Sequence, residues 1–240
     1  MKYNLLLITL FFSLAIYTQI KSGKVTYVVS MTPISDKRID SISKKSKIKN
    51  VKSKKWMYDI LKNTPNVNTY LDFVNEESMY YVEDKMELDG KSILNMNRIF
   101  AGGNNKVYKN TKTKEYLKEN IRENLLIEKE EKKWQITQES KQIGKYICFK
   151  AIDIESTNTK MKPVVWFTPQ IPVSFGPSEY NGLPGLVILV EMSNRTISAS
   201  KIVLNPKEKI ELKKLIKGDR ITEEKYNEKM KALWKSIKKT

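Results

Sequence analysis

The chain has 240 residues, no histidine and one cysteine, Cys148. Without imidazole there is no Ser-His-Asp or Cys-His nucleophilic site and no histidine-ligated metal. One thiol cannot build a thiolate-rich zinc site. Carboxylates, lysines and tyrosines remain. Asp72, Glu83, Asp84, Asp153 and Glu191 could pair as the acid and nucleophile of a glycan-acting enzyme, which needs two carboxyl groups roughly 5–10 Å apart. Spacing along the chain does not supply that separation, and each reads first as a surface carboxylate. Cys148 lies in Tyr146-Ile147-Cys148-Phe149-Lys150-Ala151, an apolar strand-like setting that suits packing better than reactivity. No catalytic residue, cofactor or metal is expected, and the chain does not read as an enzyme.

The charge balance points instead to an anionic partner. Lysine and arginine number 44 against 27 acids, a net charge of +17. Much of the excess is local: Lys37, Arg38, Lys44, Lys45, Lys47, Lys49, Lys52, Lys54 and Lys55 face only Asp36 and Asp40. The run from Lys44 to Lys55 would attract anionic glycans, lipid headgroups or nucleic acid. A solvated basic face is the plainer reading. No nucleic-acid-binding motif accompanies the lysines.

The N-terminus supplies the compartment. Lys2 precedes an apolar run, Leu5 to Ile16, broken only by Thr9 and Ser13, and the polar Tyr17-Thr18-Gln19 follows. The run is short for a membrane span and has the layout of a secretory signal. Residues 1–18 are read as that signal, with cleavage after Ala15 as an alternative site and an uncut anchor as the alternative fate. No cysteine is near, so attachment through a lipidated cysteine is excluded, and no later run is apolar enough to span a membrane. The mature protein is then periplasmic or secreted, and export argues against a nucleic-acid partner. Residues 19–240 suit one domain, with the basic segment at about 36–62 as an excursion.

The elements of that domain read as strands. Val25, Tyr27 and Val29 alternate with Lys24, Thr26 and Val28 across 23–29. Strands are also expected at 70–74 and 79–82 around a hairpin turn, and at 106–109, 116–117, 125–128, 134–137, 146–154 and 163–168. The basic excursion keeps only patchy helical spacing and reads as a loop with a short helix toward Trp56. Val164-Val165-Trp166-Phe167-Thr168 leads into Pro169, Pro172 and Pro177, which remove backbone donors and stop regular pairing. Pro184-Gly185 fits the centre of a type II turn, with positive φ at Gly185 and a second permissive point at Gly182. Leu186 to Val190 is a continuous apolar run, expected of a strand covered on both faces. Ser193-Asn194-Arg195 turns it back into 196–204.

Here the sequence resembles a known family. Gly182-Leu183-Pro184-Gly185-Leu186-Val187 matches the signature of the GLPGLI family, with valine in place of the final isoleucine. Trp134, Ile143-Gly144-Lys145-Tyr146-Ile147-Cys148-Phe149-Lys150-Ala151, Trp166-Phe167-Thr168-Pro169-Gln170-Ile171-Pro172 and Phe175-Gly176-Pro177 precede it in the family's order. The similarity covers the export signal and, more closely, Trp134 to the C-terminus; residues 36–55 match nothing in the pattern and read as an insertion. The resemblance implies an exported protein of Bacteroidetes-type bacteria with no established activity. A similar module forms the bowl-shaped N-terminal domain of some peptide N-glycosidases, apart from their catalytic part. It therefore implies a mainly β, α+β fold built on a curved antiparallel sheet, half-barrel or bowl-like. It carries no catalytic residues across.

A helix should close the chain. Thr222 can cap it, Glu223 and Glu224 lie in its first turn, and Lys235, Lys238 and Lys239 in its last. Tyr226, Met230, Leu233, Trp234 and Ile237 form one apolar stripe, expected to pack on a face or rim of the sheet. The functional expectation is a non-catalytic envelope binding or scaffold module whose partner is an envelope protein, glycan or lipid. The alternatives are a carrier holding an apolar ligand in the concave face and a carboxylate-dependent glycan-acting enzyme.

Overall fold

The computed structural model describes residues 20–32, 34–45, 50–62, 64–83, 94–155 and 162–237. The expected signal segment lies outside the described residues, as do Lys47, Lys49 and Asp84. The elements are β1 (Ser22–Met31), α1 (Asp36–Lys45), α2 (Val51–Lys62), β2 (Val67–Val74), β3 (Glu77–Val82), α3 (Met96–Phe100), β4 (Val107–Asn110) and β5 (Glu115–Asn120). A 3-10 turn (Ile121–Glu123) leads to β6 (Leu125–Glu128), β7 (Trp134–Ile143), β8 (Tyr146–Asp153), β9 (Val164–Thr168), β10 (Leu186–Glu191), β11 (Arg195–Leu204), β12 (Asp219–Thr222) and α4 (Glu223–Ile237).

All twelve strands join one sheet in the order β12-β6-β5-β4-β3-β2-β1-β11-β10-β9-β8-β7. The fold is mainly β, as expected, and the sheet is curled and open. β1 sits in the middle because the chain builds outward from it to β6, then starts again at the far edge and returns to pair β11 with β1. Every pairing is antiparallel except that of β12 with β6. That parallel edge strand is too short and polar to announce itself in sequence.

Curling follows from one connection. Ten strand-to-strand steps separate β6 from β7, which in a flat sheet would span roughly 48 Å. Only residues 129–133 join them, and so short a link reaches at most about 20 Å. The two edges must therefore approach each other. Register irregularities at Thr26/Tyr27, Val187/Leu189 and Ile136/Ser140 lie in the half containing β7 to β11 and β1. Bulges of this kind add local bend and twist.

Alternation places the core. Val25, Tyr27 and Val29 on β1 and Leu71 and Phe73 on β2 point into a main cluster with Tyr80, Val107 and Tyr116. Met79, Tyr108, Leu117 and Leu126 point the other way, where Leu215 from the segment after β11 covers them. The basic excursion is more regular than expected: 36–45 is helical, and α1 and α2 pack as a pair. Ile39 and Ile60 are buried, and Asp40 accepts a hydrogen bond from Tyr58 and an ion pair from Lys54 at 3.5 Å. Local polar contacts thus sustain helices whose apolar periodicity is weak. The apolar stripe of α4 departs further from expectation. No residue of that helix is buried, and Leu233, Trp234 and Ile237 are 48%, 59% and 57% exposed. Periodicity established the stripe but not a cover for it. Among the described residues no helix is long and apolar enough to cross a membrane.

The core is rich in buried phenols, and this sets an alkaline limit. Burial, followed by the charge of Tyr80, drives Tyr27 well above the ordinary value of 10.0. Burial also pushes Tyr80 up to about 12. The fold favours the neutral phenols, so their contribution is complete below the ordinary value and is lost as pH rises through the raised ones. Ultraviolet titration of tyrosinate against circular dichroism should therefore show the last tyrosines ionising together with unfolding. Full ionisation of the tyrosines in a chain that stays folded would contradict the assignment.

Candidate functional site

The segment between β9 and β10, which carries the signature residues, turns inward and fills the concave side of the sheet. Ile171, Phe175, Leu183 and Leu186 are all at most 2% exposed. The Phe175 ring lies 5.7 Å from that of Phe73 on β2, and the Tyr27 hydroxyl donates to the Val187 carbonyl at 2.7 Å. A loop buried in this way must satisfy its own backbone. The Leu186 and Val187 amides donate to the carbonyls of Ile171 and Phe175, and the Gly182 amide donates to that of Ser174.

Two prolines make tight turns within it. The Val173 amide donates to the Ile171 carbonyl, and the Gly185 amide to the Leu183 carbonyl, each at 2.8 Å. These are three-residue turns centred on Pro172 and Pro184, and the fixed φ of proline is close to the value such a turn needs. The expected type II turn at Pro184-Gly185 is absent. Gly182 has the positive φ, at 85°, and Gly185 does not. Gly185 is required for a different reason: a Cβ there would stand 2.2 Å from the Thr168 carbonyl oxygen. At Gly176 a Cβ would stand 2.0 Å from the Tyr180 carbonyl oxygen. Both glycines let the loop's backbone lie against a neighbouring backbone. Pro169 ends β9, and Pro177 accepts the Tyr180 amide at 3.0 Å.

Asn181 ties the loop to the sheet. Its Oδ1 accepts from Lys109 Nζ at 2.9 Å, its Nδ2 donates to the Tyr116 hydroxyl at 3.2 Å, and its carbonyl accepts from Trp134 Nε1 at 2.8 Å. Strands β4, β5 and β7 thus converge on one residue. Lys109, 3% exposed, also pairs with Glu131 in the β6–β7 link at 2.6 Å. Neither Lys109 nor Asn181 stands out in the sequence. Each is a polar residue in a strand or loop, and only the curl of the sheet brings them together.

Of the expected carboxylates, the four described ones bond to different donors. Asp72 accepts from Tyr81 at 3.1 Å, and Glu83 from Tyr70 at 3.4 Å. Asp153 pairs with Lys132 at 2.9 Å. Glu191 accepts from Trp166 Nε1 at 2.6 Å and from Lys141 at 3.2 Å, while the Lys141 ammonium sits 4.0 Å from the centre of the Trp166 ring. Each has its own donor. Burial raises Asp72, ahead of the lowering effect of the Tyr81 hydrogen bond. The carboxylates that the fold does bring together are others. Glu179 and Glu223 share Lys129, and Glu115 and Glu128 share Arg220 at 2.6 and 3.5 Å. The hydrogen bond from Lys214, then that from Arg220, hold Glu115 below the ordinary value, the wrong direction for a general acid. A cavity of about 490 Å³ lies against Glu115, Glu128, Lys129, Lys214 and Arg220, so it is an ion-pair cleft. Among the described residues no group of acids and cysteine is placed to hold a metal. Cys148 is buried, and burial pushes its thiol up to about 11.

Of the basic run, Lys44, Lys45, Lys52 and Lys55 are exposed on α1 and α2, whereas Lys54 is paired with Asp40.

The packing around the loop separates two kinds of glycine. Gly185→Ala should cost about 3 kcal/mol through overpacking, whereas Gly144→Ala, with φ +58 and nothing within 4 Å, should cost about 1–2 kcal/mol. Urea unfolding of both variants checks the order. The Lys109 pair is asymmetric, since Glu131 is 58% exposed in its side chain and Lys109 only 4%. Glu131→Ala leaves a buried ammonium short of its counter-charge and should cost about 3 kcal/mol. Lys109→Met leaves a solvated carboxylate and one unpaired amide oxygen, a loss of about 1–2 kcal/mol. Equal losses would mean that the ammonium is not held as a buried charge.

A family model described as "Protein of unknown function (Porph_ging)" matches residues 154–189, the stretch running through β9 and the inward loop into β10. It includes Gly182-Leu183-Pro184-Gly185-Leu186. Comparison with curated proteins finds no match. Two solved structures, titled "Structure of PNGF-II in C2 space group" and "Structure of PNGF-II in P21 space group", are similar to 87% of this chain at 15% identity, with TM-scores of 0.49 and 0.50. The chain spans 32% of the length of those proteins. At that identity the likeness of the second bears on the fold alone: the curled sheet of this chain is similar to part of a longer protein.

Proposed function

We propose that the chain is a non-catalytic envelope module of the GLPGLI type, exported to the periplasm or beyond, that binds or braces an envelope partner on its outer surface. The observation that carries this reading is the filled concave face. The inward loop occupies the space a half-barrel carrier would keep for a ligand, with Phe175, Ile171 and Leu183 in the position of cargo. Its prolines, close-approach glycines and the Asn181 contacts are spent on holding that loop still. The carrier alternative needs an enclosed apolar void, and the cleft of about 490 Å³ at Glu115 is lined mostly by charged side chains. The enzyme alternative needs a carboxyl group free to hold a proton, and the paired acids of that cleft share a cation. Export is supported by the Lys2 and Leu5–Ile16 layout.

Two measurements test the reading. Mass analysis of the protein recovered from the cell envelope should place the new N-terminus after Thr18 or Ala15. Cross-linking in intact cells should trap an envelope protein, glycan or lipid at surface positions, and positions facing the inward loop should trap nothing. Steady turnover of a glycan or glycopeptide, lost on changing one of the clustered glutamates to glutamine, would overturn the non-catalytic assignment.

A further inference from the structure

The two ends of α4 differ in every respect. Its first turns are tied down: Lys129 pairs with Glu223, Asn120 Nδ2 donates to the Tyr226 hydroxyl at 3.2 Å, and Lys229 pairs with Glu123 at 2.9 Å. All its acids, Glu223, Glu224 and Glu228, lie in that anchored part. From Lys229 to Ile237 the only charged residues are lysines, and Lys231 to Ile237 are exposed all round.

The strand directions fix where this exposed part lies. β6 and β12 run parallel to each other and opposite to β1. α4 therefore starts at the end of the sheet away from Met31. By Lys229 it has reached Glu123, in the turn between β5 and β6, at the same end as Met31. The eight residues beyond project about 12 Å further. That end of the sheet also carries α1 and α2, which connect the end of β1 to the start of β2. On α2, Trp56 is 59% exposed between the exposed lysines Lys52 and Lys55 on one side and Tyr58 on the other. Two helices thus present half-exposed tryptophans among lysines at one end of the molecule.

We propose that this end docks on an anionic phospholipid surface, with the projecting turns of α4 lying in the interface. On a helical projection Leu233, Trp234 and Ile237 fall within an arc of about 100°, with Lys229 and Lys231 on its two flanks and Lys235 behind. Flanking lysines can place their stems over the acyl boundary and their ammonium groups among headgroup phosphates. Tryptophan suits the same boundary, and the pattern as a whole is that of a helix lying in a membrane interface. Charge complementarity selects the occupant. A second copy of a chain with net charge +17 would be repelled, and an anionic polymer would leave Leu233 and Ile237 wet. An anionic bilayer satisfies both faces of the helix. The proposal deepens the reading of the chain as an envelope-binding module, and rests on it for the compartment.

Vesicle co-sedimentation with the purified full chain tests it, using phosphatidylcholine with or without phosphatidylglycerol. Every variant carries the same N-terminus, so the Leu5–Ile16 run contributes equally to each. The parent should bind phosphatidylglycerol vesicles and bind neutral ones far less. The triple variant Leu233→Ser, Trp234→Ser, Ile237→Ser should lose about tenfold or more in partitioning while its urea midpoint stays put, since none of the three is buried. Lys231→Glu with Lys235→Glu should lose as much at low salt, and the difference from the parent should shrink as salt screens the charges. Trp234 fluorescence should shift to the blue on binding. Binding that survives the triple variant, binding indifferent to phosphatidylglycerol, or binding to DNA in place of vesicles would each overturn the docking surface. An envelope partner still trapped at other surface positions would then leave the broader functional reading standing.

Discussion

The structure depends on the brevity of the connection between β6 and β7. Residues 129–133 must bring together strands that the pairing order puts at opposite ends of an eleven-strand run, and a polypeptide of that length cannot cross a flat sheet. Curling creates a concave side, and a concave side lined by Tyr27, Phe73, Tyr80 and Tyr116 must be filled or hydrated. The inward loop between β9 and β10 fills it. The link supplies Glu131 to Lys109 and Lys132 to Asp153, so the same five residues that force the curl also fasten its interior.

Filling a sheet with an irregular loop has a polar cost that a helix would not incur. Each buried amide or carbonyl without a regular partner loses its water. The loop meets this with bonds to itself and with Asn181, whose side chain accepts from Lys109 and donates to Tyr116 and whose carbonyl accepts from Trp134. A lysine in such a place is defensible because its ammonium keeps two acceptors, Asn181 and the partly solvated Glu131. The stretch from Gly182 to Leu186 acquires a physical meaning from this. Pro184 makes the tight turn, Gly182 supplies the positive φ, and Gly185 lets the returning strand touch the end of β9.

Much of this was legible in the residues, and the failures share a cause. Period-2 alternation locates β1, a hairpin turn locates β2 and β3, and the spacing of Pro169, Pro172 and Pro177 locates the loop. The same evidence could not say that the loop points inward, because proline reports lost donors and not direction. Gly185 was assigned to positive φ from the Pro-Gly dipeptide alone. Its actual constraint is contact with Thr168, distant in sequence, which no local rule contains. Nothing local marks Lys109 as a buried lysine either, since its partners Asn181 and Glu131 come from other parts of the chain. The regularity of 36–45 was missed because its helix is sustained by Asp40, Tyr58 and Lys54 across a helix pair and not by a continuous apolar stripe.

The α4 helix is the converse case, a stripe read correctly with its burial read wrongly. Apolar periodicity shows that one face of a helix differs from the other; it does not show that the protein itself covers that face. Coverage depends on how much sheet remains beneath the helix. Here β12 and β6 are four residues each, enough for the first turns of a fifteen-residue helix and no more. Beyond Lys229 the side chains of Leu233, Trp234 and Ile237 stay about half exposed. Folding alone does not account for three large apolar side chains aligned on one arc at the exposed end of a helix whose own charges after Glu228 are all lysines. An apolar medium with an anionic boundary does, and that physical mismatch between the helix and its support is what directs attention from the filled interior of the sheet to its exposed end.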